Sequence, residues 1–264
     1  PQGNNDQISH IGPITRTVAD AALMLGVMAG PDKVDPTTVA GSVPDFLADL
    51  DAGVAGWRVA YSPDLGYLPV DPEIAQSVAQ AAQVFETLGA HVEEIDPGWG
   101  DQIDMEHVFW GANFAGNLGV YLEAWQDKMD PGLVACIRDG QDQAAIDYVR
   151  MKQRRLDYQA KVLEFFEQYD LLLTPTLSVA AFPVGRLIPE HWQQHSWDWL
   201  RWAGFSYPFN LTWVPAATCP CGFTQDGLPV GLQIVAGHHQ DKKVLQASRA
   251  FETAQPWAQH RPID

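Results

Sequence analysis

The sequence predicts a layered α/β fold, and three observations carry this prediction. Residues 57–95 read as a strand, a helix and a second strand, which is the order of a unit with parallel pairing. Residues 170–176 form an uninterrupted apolar run that stops at a proline, as expected for a central strand buried on both faces. Several amphipathic segments supply helices for the outer layers.

The first predicted element is a helix over residues 17–29. Its apolar residues recur at steps of three and four, so they share one helix face. Thr17 and Asp20 have the spacing of a capping box, and the pair Gly30-Pro31 ends the helix.

The strand–helix–strand unit comes next. Residues 57–61 alternate like a short strand, residues 72–88 form a helix that ends at Gly89, and residues 91–95 form the second strand. A right-handed crossover is expected for such a unit.

Two long helices are predicted in the middle of the chain. The first covers residues 104–125, where Gly111, Gly116 and Gly119 suggest close packing against another backbone. The second covers residues 144–169, with basic side chains opposite an apolar stripe. The stripe consists of Ile146, Val149, Leu156, Val162, Phe165 and Phe166, and the basic face of Arg150, Lys152, Arg154, Arg155 and Lys161.

The last third of the chain returns to strands. The central strand over residues 170–176 should open into a crevice at its carboxyl end, where Thr174 and Thr176 are candidate pocket residues. Residues 192–213 are predicted as a helix followed by a loop. Residues 219–235 form two strands around a turn at residues 225–227, and residues 241–254 form a closing helix. With no internal repeat and no low-complexity linker, one domain is expected.

Composition excludes several classes of function. Sixteen basic and thirty-three acidic residues give a net charge of −17, which repels nucleic acid and anionic membrane surfaces. No apolar run approaches the ~20 residues that cross a bilayer.

Three cysteines are an odd number, which favours a reducing compartment and hence the cytoplasm. The chain starts at Pro1 with neither an initiator methionine nor a signal peptide, which suggests a cut inside a longer protein.

Motifs for metal, cofactor or nucleophilic chemistry are weak. His191 and His195 have the spacing of a two-histidine metal site, but the first is not followed by the glutamate of a zinc hydrolase. The eight serines include no adjacent pair and no Gly-x-Ser-x-Gly turn, and phosphate-binding loops are absent. The residues therefore predict no metal, no cofactor and no catalytic centre.

The chain resembles the amidase signature family in six stretches that follow the family's order. Within that family it is more similar to the general bacterial amidases than to the transamidating subunit that serves tRNA. The stretches are ISHIGPITRTVADAA (8–22), GWRVAYS with the later LGA (56–62, 88–90), LTPT (173–176), FNLT with PA (209–212, 215–216), CPCGF (219–223) and GLPVGLQIV (227–235).

This resemblance implies an α/β/α sandwich around a mixed sheet, incomplete at its N-terminal side. Residues 1–264 would be the C-terminal portion of a single amidase signature domain. Family members hydrolyse carboxamides through a serine acyl-enzyme, with a Ser–cis-Ser–Lys triad in a Gly/Ser-rich stretch. That stretch would precede Pro1, so no catalytic residue is assigned here and the isolated chain is expected to be inactive.

Seven residues are predicted to contact the substrate by the resemblance and the strand-end argument. They are Phe109, Trp110, Asn113, Thr174, Thr176, Phe209 and Asn210. For each aromatic residue, plain core packing is an equal alternative. Expected partners are a small-molecule amide and the missing N-terminal portion of the fold, and a homo-oligomer is left open. The alternative function is a non-catalytic binding or structural domain derived from an amidase.

Overall fold

The computed structural model describes residues 8–35 and 37–260, and a sheet of five strands lies at its centre. The strands are β1 (Arg58–Tyr61), β2 (His91–Glu94), β3 (Leu171–Pro175), β4 (Ala216–Phe223) and β5 (Pro229–Val235). Their order across the sheet is β2-β1-β3-β5-β4. The start at Pro1, from which the sequence suggested a cut, lies outside the described residues.

The sheet is mixed. Strand β1 pairs in parallel with both β2 and β3, whereas β5 runs antiparallel to β3 and β4. The predicted strand–helix–strand unit and the predicted hairpin are therefore confirmed. The hairpin turn contains Gly227, whose φ of 78° lies in the left-handed region that glycine adopts without strain.

Eight α-helices are present in the described residues, and short 3₁₀ turns at Gly119–Tyr121 and Gln126–Lys128 flank the fourth. They are α1 (Val18–Met28), α2 (Pro72–Thr87), α3 (Ile103–Leu118), α4 (Leu122–Trp125), α5 (Pro131–Gln141), α6 (Ala145–Phe165), α7 (Tyr207–Thr212) and α8 (Asp241–Ala254). The predicted helix over residues 104–125 is thus interrupted at Gly119.

Helices cover both faces of the sheet, which confirms the α/β/α sandwich. On one face α2 and α8 bury an apolar layer, in which the Phe85 and Phe251 rings stack 5.7 Å apart. On the other face α3, α6 and α7 pack over Ala60, Leu172 and Val235. The two layers thus take alternate residues from the same strands, as the period of a strand requires.

Helix α1 packs against α8 and begins at the predicted cap. The Thr17 hydroxyl accepts the Asp20 backbone N–H at 3.1 Å, so the first turn has one of its free donors satisfied. The Val18 backbone N–H lies 3.3 Å from both carboxylate oxygens of the buried Glu252 on α8. The start of α1 is therefore joined to the closing helix.

Glycines bring α3 and α5 into close contact. A Cβ atom at Gly140 would overlap the Gly111 carbonyl oxygen, and a Cβ at Gly111 would lie 3.3 Å from Gly140 Cα. The prediction of close backbone packing is therefore confirmed at Gly111. A Cβ at Gly116 would have no such neighbour within 4 Å, so that glycine has no such role in the described part of the chain.

The predicted burial of the apolar stripe of α6 is wrong for the first three of its six residues. Ile146, Val149 and Leu156 are 55%, 58% and 55% exposed, whereas Arg155, assigned to the solvent face, is buried. The reason is tertiary: the face with Arg155 covers the end of α7, whose carbonyl groups need donors. Arg154, also on the predicted basic face, pairs with Asp104 of α3.

The Trp-rich segment also differs from its prediction. Residues 192–206 form turns and irregular chain, and the helix α7 follows them rather than preceding a loop. Proline at the second position of α7, Pro208, costs no hydrogen bond because the first N–H groups of a helix have no partner within it.

Candidate functional site

One face of the sheet changes from apolar to polar toward the carboxyl end of β3. Leu172 and Val235 are paired across β3 and β5 under the α3–α6–α7 layer. Two residues along the strand, Thr174 is paired with Gln233, and Gln233 with Thr218 of β4. Since residues two apart share a face, a row of polar side chains continues the apolar row at the predicted ligand end.

The buried half of this polar row is fully connected. The Gln233 amide donates to the Thr174 hydroxyl and to the Phe205 carbonyl oxygen, at 3.0 Å in both cases. The Thr174 hydroxyl donates in turn to the Pro175 carbonyl oxygen at 2.8 Å. Thr174 is fully buried and joins β3 to Gln233 of β5, and Gln233 in turn holds the segment that precedes α7.

The outer half of the row reaches the surface. The hydroxyl oxygens of Thr176 and Thr218 lie 2.6 Å apart and share one hydrogen bond. Gly231 lies between them, and a Cβ at this position would come within 2.7 Å of the Thr176 hydroxyl and 2.8 Å of the Thr218 hydroxyl. The lack of a side chain on Gly231 therefore keeps this hydroxyl pair accessible.

Helix α7 places its two predicted residues differently. Phe209 is buried in the apolar layer, where its ring meets the Trp99 ring edge-on at 6.3 Å. Asn210 is half-buried, and its side-chain oxygen lies 3.0 Å from His10 Nδ1. This contact brings the first signature stretch to the FNLT stretch, 200 residues later in the chain.

Arg155 of α6 fixes the end of α7. Its Nε donates to the Leu211 carbonyl oxygen at 2.7 Å, and Nη2 lies 3.4 Å from the Asn210 carbonyl oxygen. Its guanidinium group also lies over the Trp213 ring at 4.8 Å and the Phe109 ring at 5.8 Å. Cation–π contacts and a charged donor at the helix end stabilise this position.

The three predicted residues of α3 span a range of burial. Phe109 is fully buried and contacts the Tyr148 ring edge-on at 5.7 Å. Trp110 is half-buried and packs against the Trp199 ring at 5.8 Å. Asn113 is half-buried, and its amide nitrogen donates to the Phe109 carbonyl oxygen at 2.8 Å.

An acid on α3 is buried in the same layer. Glu106 is 2% exposed, and its Oε2 has no hydrogen-bond partner within the described part of the chain. Burial raises the pKa of this carboxyl to about 8, although the positive charge of Arg155 acts in the opposite direction. Glu106 is therefore largely neutral at pH 7.

Metal ligands are not assembled by the described residues. His191 Nε2 lies 3.0 Å from Asp71 Oδ1, whereas His195 Nδ1 accepts the backbone N–H groups of Trp197 and Asp198. Among residues 8–35 and 37–260, no group of three or more His, Cys, Asp or Glu could hold a metal ion. Within these ranges, no helix is long and apolar enough to span a membrane.

Two buried serines and Lys243 already have hydrogen-bond partners in the described structure. The buried Ser62 hydroxyl accepts the Leu65 N–H at 3.2 Å, and Ser248 donates to a carbonyl of its own helix. Lys243 donates to Asp170 at 2.6 Å, so its charge is paired. Hydroxyl and amide groups of this kind suit recognition of a neutral polar group.

Three residues of this site were missed by the sequence prediction. Gln233 is a polar residue inside the apolar strand PVGLQIV, and this exception to the pattern was an available signal. Thr218 had no such signal, since its place beside Thr176 depends on the register of β4. Arg155 was predicted to lie on the solvent-exposed face of α6, because basic residues on a long helix are usually exposed.

The α/β/α sandwich around a mixed five-stranded sheet has the fold of solved amidase signature enzymes. The profile of the family "Amidase" matches residues 3–245. The chain therefore belongs to the amidase signature family, as the sequence stretches indicated.

Three relatives give the extent of this similarity. An acylamidase of Rhodococcus erythropolis is 38% identical over 261 residues, which cover 96% of this chain and 54% of the relative. A glutamyl-tRNA(Gln) amidotransferase subunit from Alkaliphilus metalliredigens is 30% identical, with 93% and 54% covered. The crystal structure of a bacterial aryl acylamidase superposes with a TM-score of 0.85 at 29% identity, covering 100% of this chain and 58% of that one. The chain thus spans 54% of the length of these two curated relatives.

Proposed function

We propose that the chain forms one wall of the substrate site of a carboxamide hydrolase. The observation that carries this proposal is the polar row that ends in the Thr176–Thr218 pair at the carboxyl end of β3. Hydroxyl groups there offer donors and acceptors to the carbonyl and N–H of an amide. The family membership gives the reaction class.

In this proposal, the catalytic residues that hydrolysis requires come from a further portion of the family fold. The sequence has eight serines and six lysines. No two of the serines are adjacent, and the sequence has no Gly/Ser-rich stretch. The curated relatives named above are almost twice as long as the matched part. Residues 1–264 act as the C-terminal portion of a single domain, and the other portion supplies the nucleophile, either in the same polypeptide or as a separate chain.

The substrate side of the proposed site consists of the more accessible predicted residues. Thr176, Asn210 and Asn113 carry polar groups and are not fully buried. Trp110 supplies a half-buried aromatic surface. Thr174, Phe109 and Phe209 are proposed to hold these residues in place from the layer beneath.

Hydrolysis of an acyl amide is favoured over transfer of an amide nitrogen to tRNA. The identity to the acylamidase, 38%, exceeds the 30% identity to the amidotransferase subunit over a similar share of the chain. The net charge of −17 also opposes approach to a nucleic acid. A soluble, cytoplasmic enzyme fits this assignment.

A chimaera tests the proposal. The chain is produced alone and, in parallel, fused to the portion of the Rhodococcus erythropolis acylamidase that this chain does not match. Amine or ammonia release is measured from a panel of aliphatic and aromatic amides, with an empty-vector preparation as control. We expect release by the chimaera only. The proposal is contradicted if the chain alone releases amine or ammonia and this activity co-purifies with the chain. It is also contradicted if the chimaera folds but has no activity.

A further inference from the structure

The outer face of α6 carries an exposed seam of regular spacing. Ile146, Val149 and Leu156 are more than half exposed, and Gln153 and Ala160 are exposed as well. These five positions follow one another at steps of three, four, three and four residues, so they lie on one side of the helix over about 21 Å. Single exposed apolar residues need no partner, whereas a seam with this heptad spacing is typical of a face that packs on another helix.

The seam lies opposite the face of α6 that packs inside this chain. The buried residues of α6 are Arg155, Tyr158 and Val162. Tyr158 and Val162 belong to the apolar layer over the sheet, and Arg155 caps α7. The outer seam therefore adds nothing to the core of the described chain, and its burial has to come from another surface.

The charge of α6 favours a second copy of this chain as that surface. The helix contains five basic and three acidic residues, a net charge of +2, whereas the whole chain carries −17. Two copies of so acidic a chain repel each other over most of their surfaces. This repulsion is weaker at a face where both signs of charge are present, so two copies can approach through α6.

One flank of the seam is complementary to itself. Arg150 and Asp157 are exposed, and they directly follow Val149 and Leu156 of the seam. They are seven residues apart and so occupy the same position in successive heptads. A two-fold axis that reverses the direction of the second helix places this flank against its own copy. Arg150 of each copy then faces Asp157 of the other, and the contact occurs twice.

Gln153 lies at the centre of the seam, seven residues from each end. A two-fold axis near Gln153 brings Ile146 and Val149 of one copy beside the half of the other seam that contains Leu156 and Ala160. The Gln153 side chain has both donors and an acceptor, so its two copies can hydrogen-bond to each other across the axis. A single polar residue in an apolar seam fixes the register in this way.

We propose that this chain forms a reversible homodimer in which two α6 helices pair antiparallel about a two-fold axis at Gln153. The same patch on both copies forms the contact, as two-fold symmetry requires. One face of a 21-residue helix is a small interface, so the dimer exchanges with monomer. The inference goes beyond the proposed function, because it needs neither a substrate nor a catalytic residue.

Sedimentation equilibrium of the whole chain tests the dimer. Between about 1 and 200 μM, the average mass should rise from that of one chain toward that of two. Leu156→Glu places a charge in the seam and should weaken dimerisation at least about tenfold. Val27→Glu makes the same kind of change at an 82% exposed residue of α1 and should have no effect. Both positions are exposed, and circular dichroism checks that the variants fold.

A charge exchange tests the antiparallel register. Arg150→Asp and Asp157→Arg each place two pairs of like charges opposite each other, and each should weaken the dimer by about threefold or more. The double variant, with both substitutions, restores opposite charges and should regain most of the affinity. A role of these side chains within one chain does not predict this recovery.

Several results would overturn the inference. They are a chain that stays monomeric over this range, a dimer that Leu156→Glu leaves intact, and a dimer that Val27→Glu abolishes. A double charge variant no tighter than the single variants would also overturn it, since the pairing would then not be the antiparallel one.

The acylamidase chimaera separates this inference from the proposed function. It contains the other portion of the family fold and should dimerise in the same concentration range. A monomeric chimaera would show that the other portion covers the seam, which also overturns the inference. Leu156→Glu should leave kcat/KM of the chimaera unchanged, so amide hydrolysis and dimerisation are tested independently.

Discussion

The two faces of the sheet are built from alternate residues of the same strands, yet they end differently. Under α2 and α8, Leu171 and Leu173 of β3 continue as an unbroken apolar row with Leu232 and Ile234 of β5. On the opposite face, Leu172 gives way to the polar Thr174. The first face therefore serves stability, whereas the second exchanges part of its packing for hydrogen-bonding groups at the carboxyl end of β3.

The largest effect is expected on the apolar face. Leu173→Ala leaves a cavity in a fully buried layer and should lower the free energy of unfolding by about 2–5 kcal/mol. Urea denaturation followed by circular dichroism measures this change. Thr174→Ala, one residue along on the other face, is the matched comparison, and an equal loss in both variants would remove the distinction between the faces.

Each of the two helix layers contains a buried glutamate, and the two glutamates differ in their hydrogen bonds. Glu252 on α8 accepts N–H donors from Val18 and Arg249, whereas Glu106 Oε2 on α3 has no hydrogen-bond partner among the described residues. The folded pKa of Glu106 is raised to about 8 from 4.5, so the unfolded state loses its proton first. Stability should therefore fall as the pH rises from about 4.5 to about 8 and level off above that.

Glu106→Gln removes this pH dependence. Between pH 6 and pH 8 the wild-type chain should lose about 2 kcal/mol of unfolding free energy relative to the variant, since one pKa unit corresponds to about 1.4 kcal/mol. Urea denaturation at several pH values measures the difference, with Glu164→Gln on the exposed side of α6 as control. Parallel pH profiles of wild type and Glu106→Gln would show that Glu106 is ionised in the folded chain at neutral pH.

A smaller effect is expected within the buried half of the polar row. Thr174→Val keeps the shape of the side chain and removes the acceptor of Gln233, which retains the Phe205 carbonyl oxygen. We expect a loss of about 1 kcal/mol in unfolding free energy. Thermal and urea denaturation measure it; a gain in stability would mean that the polar row is not satisfied as described.

The smallest effect on stability is expected at the accessible end of the row. Thr176→Val removes one hydroxyl of the Thr176–Thr218 pair at the surface, and the change in unfolding free energy should stay within about 0.5 kcal/mol. The same denaturation experiment checks this value. A loss as large as that of Thr174→Val would assign Thr176 to the structural part of the row.

The sequence predicted best the elements whose bounds follow from their local pattern. Helix α8 and the strands β1, β2 and β3 lie close to their predicted bounds. Helix α6 shows the limit of this reasoning. Its apolar Ile146 and Val149 are exposed and its Arg155 is buried, since the carbonyl groups that Arg155 caps belong to a helix 56 residues later.

The candidate site was predicted only in part, because some of its residues come together only through tertiary packing. Thr174 and Thr176 follow from the rule that ligands bind at the carboxyl ends of strands. Thr218 does not, because only the register of β4 with β5 brings its hydroxyl beside that of Thr176. The split between buried Phe209 and half-buried Asn210 also depends on how α7 docks, which the FNLT stretch alone does not encode.

The proposed contact between the polar face of the sheet and the amide substrate can be measured in the chimaera. The measurement is kcat/KM for amide hydrolysis with Thr176→Val and, as control, Thr253→Val on the exposed side of α8. We expect a drop of at least about fivefold for Thr176→Val, from the loss of one hydrogen bond, and no change for the control. Equal kcat/KM values for Thr176→Val, the control and the unmodified chimaera would contradict it.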